Sequence, residues 1–117
     1  MADIPKKIIL PTHKKGDTFV GCGFEIEYNG APLDLTGCQA TLRLVSTVDP
    51  NTYYEMTSVG GTLSLGTPTD GIVYIVPQII NYDSAKYNYD LQLYYPATTW
   101  TKTPCYGTWK IWQDITP

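Results

Sequence analysis

The stretch YNYDLQLYYP, residues 87–96, alternates between two kinds of side chain. One row of alternate positions is aromatic or aliphatic throughout: Tyr87, Tyr89, Leu91, Leu93 and Tyr95. The other row is polar until it reaches Tyr94. A period of two is typical of a β-strand with one face in a core and one face in water. The stretch therefore predicts a strand whose core face is apolar and whose outer face ends in an exposed aromatic.

The terminal stretch GTWKIWQDITP, residues 107–117, alternates in the same way. Because Trp109 and Trp112 fall in opposite rows, one points inward and the other outward, whichever row is buried. Tyrosine and tryptophan are enriched in interface cores, from which lysine and glutamate are depleted. We therefore predict that another protein covers the outer faces. The interface candidates are Tyr94, Trp100, Tyr106 and Trp112. Cover by the chain's own arm or loops is the alternative.

The middle of the chain is also predicted to form strands separated by turns. Alternate positions from Val20 to Tyr28 predict one strand face, and Cys38, Ala40, Leu42 and Leu44 predict another. Shorter strands are predicted at 53–57, 62–65 and 71–77, with turns at Asn29-Gly30, at Gly60-Gly61 and at 67–71. One helical turn is expected within 78–85, a loop over 96–104 and a last strand over 105–114.

No segment longer than a turn has helical periodicity, and short strands recur at regular spacing. This pattern predicts an all-β fold, and we expect an immunoglobulin-like antiparallel β-sandwich with an extended N-terminal arm. The antibody spacing of Cys, Trp and Cys is absent, since no tryptophan precedes Trp100. A chain of 117 residues fits one domain.

Residues 1–16 are predicted to form the arm, and residues 17–117 the β-sandwich domain. The arm contains a short apolar segment with a basic start, whose members are Lys6, Ile8, Ile9 and Leu10. Such a segment can form an edge strand. Two placements remain open: addition to the sheet edge of a neighbouring protein, or folding back onto the same domain.

The net charge of the chain argues against nucleic acids and anionic membranes as partners. The net charge is -3 and the pI is about 4.8, which is no electrostatic footprint for nucleic acid or for an anionic membrane. The apolar run in MADIPKKIIL is too short for a signal peptide, and no segment approaches the ~20 apolar residues of a membrane span. We expect a protein made and folded in a cytoplasm, with neither a nucleic acid nor a membrane as partner.

The cysteines, the histidine and the glutamates form no recognisable catalytic or metal-binding pattern in the sequence. Cys22, Cys38 and Cys105 are odd in number and widely spaced, so we expect small buried residues; a bridge from Cys22 to either of the others is the alternative. His13 is the only histidine, which leaves no Ser-His or Cys-His pair. Glu25 and Glu27 are interpreted as a charged strand face. We expect no enzymatic activity, no cofactor and no metal site.

Four segments in order resemble a known family. GFEIEYNGAPLDLTGCQATLRLV, residues 23–45, resembles the start of small immunoglobulin-like phage virion proteins, which pair a strand and an NG-type turn with an LDLTG link. TDGIVYIVP (69–77), YNYDLQLYYP (87–96) and GTWKIWQDITP (107–117) resemble later strands of the same proteins. The nearest named relative is the immunoglobulin-like domain of phage baseplate upper proteins.

The resemblance implies a non-enzymatic structural module of a tailed-phage virion, assembled in the host cytoplasm. Its partners would be other phage virion proteins, met as repeated copies in a symmetric assembly. Baseplate adaptors of this kind continue into a fibre or helical segment, whereas this sequence stops at Pro117. We therefore expect capsid decoration, or an accessory of the neck, tail or baseplate.

The alternative function is a carbohydrate-binding β-sandwich module. In it, exposed Trp and Tyr around Tyr94, Tyr95 and Trp100 would form a platform for a surface glycan.

Overall fold

The computed structural model describes residues 6–113, which fold almost entirely as β-strands. Residues 1–5 of the predicted arm and Asp114, the predicted end of the last strand, lie outside this range. The strands are β1 (Lys6–Ile9), β2 (His13–Lys14), β3 (Thr18–Phe19), β4 (Cys22–Glu25), β5 (Glu27–Tyr28), β6 (Ala31–Pro32), β7 (Gln39–Ser46), β8 (Tyr53–Thr57), β9 (Leu63–Ser64), β10 (Ile72–Ile75), β11 (Gln78–Ile79), β12 (Ala85–Tyr95) and β13 (Trp100–Trp112). A 3-10 turn occupies Pro68–Asp70. No helix within residues 6–113 is long and apolar enough to cross a membrane.

The larger sheet, called here the large sheet, has the strand order β1-β13-β12-β7-β8, and β2 continues along β13 beyond β1. Neighbouring strands are antiparallel except β1 and β2, which run parallel to β13. The predicted antiparallel sheet is therefore wrong at this edge, where the sheet is mixed. Parallel neighbours need a long connection, and nearly the whole chain lies between β1 and β13.

The second sheet, called here the small sheet, has the order β4-β10-β9, and β3–β11 and β5–β6 form two further short pairs. The inner faces of the two sheets bury one continuous core. Across it, the rings of Phe24 on β4 and Tyr89 on β12 lie 6.2 Å apart. The fold is thus all-β, as predicted, and its two facing sheets are compatible with a β-sandwich.

The alternating rows of β7 and β12 are confirmed. Every predicted core position is buried from Cys38, just before β7, to Leu44 within it, and from Tyr87 to Leu93 in β12. The buried phenols also have acceptors, since the Tyr87 hydroxyl donates to the carbonyl of Asp83 at 2.5 Å. Burial raises the pKa of Tyr87 well above its ordinary value, so the hydroxyl stays a donor.

Three local predictions are wrong. Val20 is 82% exposed, because Gly21 has a φ of 93° and interrupts the alternation between β3 and β4. The expected helical turn in 78–85 is instead β11 followed by an irregular segment. The expected loop over 96–104 is shorter, since β13 already begins at Trp100 and pairs with the end of β12.

Gly107 on β13 allows the backbone of β1 to approach β13 closely. A Cβ at this position would clash with the carbonyl oxygen of Ile8. The hydroxyl of Tyr89 donates to the same oxygen at 2.6 Å. The backbone of β1 therefore lies in a notch that only glycine leaves open, against a donor supplied by the core.

Candidate docking surfaces

Three of the four interface candidates lie on the outer face of the large sheet. Tyr94, Tyr106 and Trp112 are 38%, 44% and 40% exposed. Tyr106 stands opposite Asp90 in the pairing of β12 with β13. At about 3.4 Å per residue, Tyr106 is about 14 Å from Tyr94 and about 20 Å from Trp112 along the strands. These aromatics are therefore spread along the whole face.

Trp100 lies on a different surface, at the end of the β12–β13 hairpin. It stands opposite Tyr95, and the two rings are 5.0 Å apart. The ring of Tyr28 is 6.4 Å from that of Trp100, and Lys102 Nζ is 5.0 Å from the Tyr28 centroid. Because neighbouring residues of a strand point to opposite faces, Tyr94 is not part of this cluster. The structure divides the four candidates between two surfaces.

A row of four charged residues and one tyrosine, called here the central row, crosses the outer face of the large sheet. From edge to edge its members are Lys7, Tyr106, Asp90, Arg43 and Glu55, on β1, β13, β12, β7 and β8. All of them are exposed. Asp90 and Glu55 both stand directly opposite Arg43, and opposite charges at such cross-strand positions favour the pairing of the strands.

The neighbouring row on the same face, called here the apolar row, carries no charge. Its members are Ile9, Thr108, Asn88, Val45 and Tyr53. At its two ends, Ile9 is 69% and Tyr53 48% exposed. The guanidinium carbon of Arg43 lies 4.4 Å from the centroid of the Tyr53 ring, a cation–π contact. Sequence reasoning missed Tyr53, because only the register of β8 against β7 places it on this face.

The predicted arm folds back onto its own domain in the part that the structure describes. Lys6 to Ile9 pair with Cys105 to Thr108, and the amide of Leu10 donates to the carbonyl of Thr108 at 3.0 Å. Leu10 is 5% exposed and Ile8 is half-buried against the core. Of the two placements left open by the sequence, the described residues adopt the second.

A cleft of about 300 Å³ opens between the sheets beside β1. Its charged lining residues are Lys6, Glu25, Glu27 and Lys102. The sequence interpreted the two glutamates as a solvated strand face, and both are exposed. Glu25 reaches the cleft because β4 is the edge strand of the small sheet, and Glu27 follows it on β5.

The three cysteines are unpaired in the structure, so neither alternative bridge is formed. Cys38 and Cys105 are buried and Cys22 is half-buried. Burial raises the pKa of the Cys105 thiol to about 12, and it also raises the pKa values of Cys22 and Cys38. Thiols that remain protonated at neutral pH are weak nucleophiles and weak metal ligands.

His13 lies close to a backbone carbonyl and to two aromatic rings of its own domain. Its Nε2 lies 2.9 Å from the carbonyl oxygen of Asp17, and its ring is 5.5 Å from Phe19 and 6.2 Å from Trp109. Within residues 6–113, no group of three His, Cys, Asp or Glu side chains could hold a metal ion.

Comparison of the chain with models of known protein families finds no match, and comparison with curated proteins finds none either.

Proposed function

We propose that this chain is a non-enzymatic structural module of a tailed-phage virion, which docks on other virion proteins as capsid decoration or as an accessory of the neck, tail or baseplate. The observation that carries the proposal is the outer face of the large sheet. It is broad, it spans five paired strands, and it exposes Tyr94, Tyr106 and Trp112 along its length. Exposed Tyr and Trp over an open face suit a protein partner better than a small molecule.

The proposal includes immunoglobulin-like connectivity, which the strand order supports. In such sandwiches one sheet runs G-F-C-C′ and the other contains B, E and D. The order β13-β12-β7-β8 corresponds to the first, and β4-β10-β9 corresponds to the second. The resemblance to phage virion proteins adds a second line of support, since two of its four segments supply β12 and β13, which carry the exposed aromatics.

The test is to purify particles from the source culture, wash them in high salt and quantify this chain by mass spectrometry. We expect it at a copy number that matches a capsid or tail symmetry. Absence of the wild-type chain from washed particles would contradict the virion proposal.

Variants then locate the docking face. Trp112→Ala and Tyr106→Ala are expected to fold normally and to enter particles several-fold less than wild type. The matched control is Tyr74→Ala, because Tyr74 is similarly exposed, at 39%, on the small sheet. If all three variants enter particles at the wild-type level, the docking face lies elsewhere.

A carbohydrate-binding function is the second candidate, and the cluster of Tyr28, Tyr95 and Trp100 favours it. Trp100 is 40% exposed there, so a sugar could pack against its ring. Titration of tryptophan fluorescence with host polysaccharide tests this, with Trp100→Ala as the variant and Trp112→Ala as the control. A shift that Trp100→Ala alone abolishes would support glycan binding, and no shift at millimolar sugar would remove its support.

A further inference from the structure

We propose that the outer face of the large sheet binds the same face of a second copy of this chain, about a two-fold axis that runs parallel to the strands over β12. The proposal deepens the proposed function, on which it rests for the assumption that this face docks, by naming one occupant. It is argued from the order of the strands and from the charges along the central row.

The strand order places this axis over the middle of the large sheet. Two strands lie on each side of β12, namely β1 and β13 on one side and β7 and β8 on the other. Rotation about an axis along β12 therefore places β1 over β8 of the second copy and β13 over its β7. Each residue of a row then faces the residue at the mirrored position of the same row, as a self-complementary two-fold interface requires.

The charges of the central row are complementary under this rotation. Lys7, at one end of the row, faces Glu55 of the second copy, at the other end. Tyr106 faces Arg43 of the second copy, which is the geometry of a cation–π contact. Symmetry forms each contact twice. The interface thus gains two opposite-charge pairs and two cation–π contacts.

The apolar row is complementary in the same orientation. Ile9, the most exposed apolar side chain of this row, faces Tyr53 of the second copy. Thr108 faces Val45, and Asn88 meets its own symmetry mate, to which an amide can both donate and accept. Neither row has to bury an unpaired lysine or arginine.

Two contacts on the axis oppose association. Asp90 faces Asp90 of the second copy, although Arg43 stands beside it in each chain. Lys86, on the same face of β12, likewise faces Lys86 of the second copy. Like charges in contact disfavour binding, so these pairs weaken the interface.

The size of the face agrees with a weak dimer. Five strands about 4.8 Å apart and about 27 Å of strand give a face of roughly 650 Å², against roughly 800 Å² per partner in a standard interface. Aligned sheets cross at about 30°, which displaces the ends of the central row by about 5 Å. Long Lys and Glu side chains span such a displacement. Weak pairing is sufficient where many copies are held in one assembly.

The charges of the central row also distinguish two axes. A two-fold axis perpendicular to the strands and centred on this row would place each of its residues against itself. Lys7 would then face Lys7, Arg43 would face Arg43 and Glu55 would face Glu55. The axis along β12 instead joins the opposite charges of Lys7 and Glu55.

Charge reversal tests the proposal in the purified full chain, by sedimentation equilibrium at low salt. Wild type is expected to dimerise at high micromolar concentration. Lys7→Glu alone and Glu55→Lys alone each turn both pairs repulsive, and each is expected to raise the dimer dissociation constant roughly tenfold or more. An equimolar mixture of the two variants restores both attractions, because position 7 of each chain then faces an opposite charge at position 55 of the other. The mixture is expected to dimerise as wild type does.

Matched controls exclude an effect of net charge. Lys102→Glu and Glu25→Lys make the same charge changes at the cleft, away from this face, and are expected to leave dimerisation unchanged. Asp90→Asn removes one of the two opposing pairs and is expected to tighten the dimer several-fold.

The proposal is overturned if wild type stays monomeric at about 1 mM, or if the mixture associates no better than either variant alone. These outcomes are separable from failure of the virion role. A monomer that still enters particles overturns the second-copy proposal alone, whereas a dimer absent from washed particles overturns the virion role alone.

Discussion

Trp109 and Trp112 lie three residues apart in β13 and have opposite environments. Trp109 is fully buried, its Nε1 donates to the carbonyl of Pro11 at 2.9 Å, and its ring is 5.1 Å from that of Phe19. Trp112 is 40% exposed on the outer face. The inner face of the strand contributes to the core and the outer face does not, so substitutions on the two faces are expected to have separable effects on stability.

The largest expected effect comes from the buried tryptophan. Trp109→Ala leaves a cavity and an unpaired carbonyl at Pro11, and we expect it to lower the free energy of unfolding by about 3–5 kcal/mol. Trp112→Ala is the matched control and should change it by less than about 0.5 kcal/mol. Urea unfolding measures both. Similar losses in the two variants would contradict the separation of the faces.

A smaller effect is expected where β1 crosses β13. Gly107→Ala places a methyl group against the Ile8 carbonyl, so β1 must move away, at a cost of about 1–3 kcal/mol. Gly23→Ala, in β4, is the control, because its nearest contact at 3.0 Å is the end of the Ile72 side chain. Hydrogen exchange at the Leu10 amide should accelerate only in Gly107→Ala. An unchanged rate there would show that β1 is not held by the notch.

The buried phenol that holds β1 has a weaker effect. Tyr89→Phe leaves the carbonyl of Ile8 without the hydroxyl donor, and we expect a loss of about 1–2 kcal/mol in the free energy of unfolding. Tyr106→Phe, on the outer face of the same sheet, should have an effect near zero. Equal effects in urea unfolding would mean that the Tyr89 hydrogen bond contributes nothing to stability.

The last prediction concerns alkaline pH. Burial raises the pKa of Cys105 from 9.0 to about 12 and that of Tyr95 from 10.0 to about 12. Because the folded chain holds these protons more tightly than the unfolded chain, the free energy of unfolding should be unaffected by them below pH 9. It should fall as the pH rises from about 9 towards 12.

Urea unfolding measured at several pH values between about 9 and 12 tests the predicted fall in the free energy of unfolding. Cys105→Ala removes one of the two groups and should flatten the first part of the fall. A free energy of unfolding that stays constant up to pH 12 in wild type would contradict the prediction.

Much of the fold could be predicted from local patterns. The rows of β7 and β12 and the strand at 53–57 follow from alternation, and the turn at 67–71 follows from its proline and glycine. Where prediction failed, a distant contact or a single backbone angle decided the outcome. The positive φ of Gly21 exposes Val20, and pairing with the end of β12 makes a strand of the segment from Trp100.

The candidate site was harder to predict for the same reason. Alternation correctly places Tyr94, Tyr106 and Trp112 on outward positions, but it does not say which outward residues are neighbours. Trp100 was grouped with them, whereas it contacts Tyr95 at the end of the hairpin.

The sequence by itself determined which faces of β7 and β12 are buried, because alternation is a property of the extended backbone and needs no partner. Only the tertiary structure decided which strands are neighbours, because sheet pairing joins residues that are far apart in the chain. The notch between Ile8 and Gly107 is one result. The central row from Lys7 to Glu55 is another, since its members come from five strands and acquire a common surface only when their registers are set.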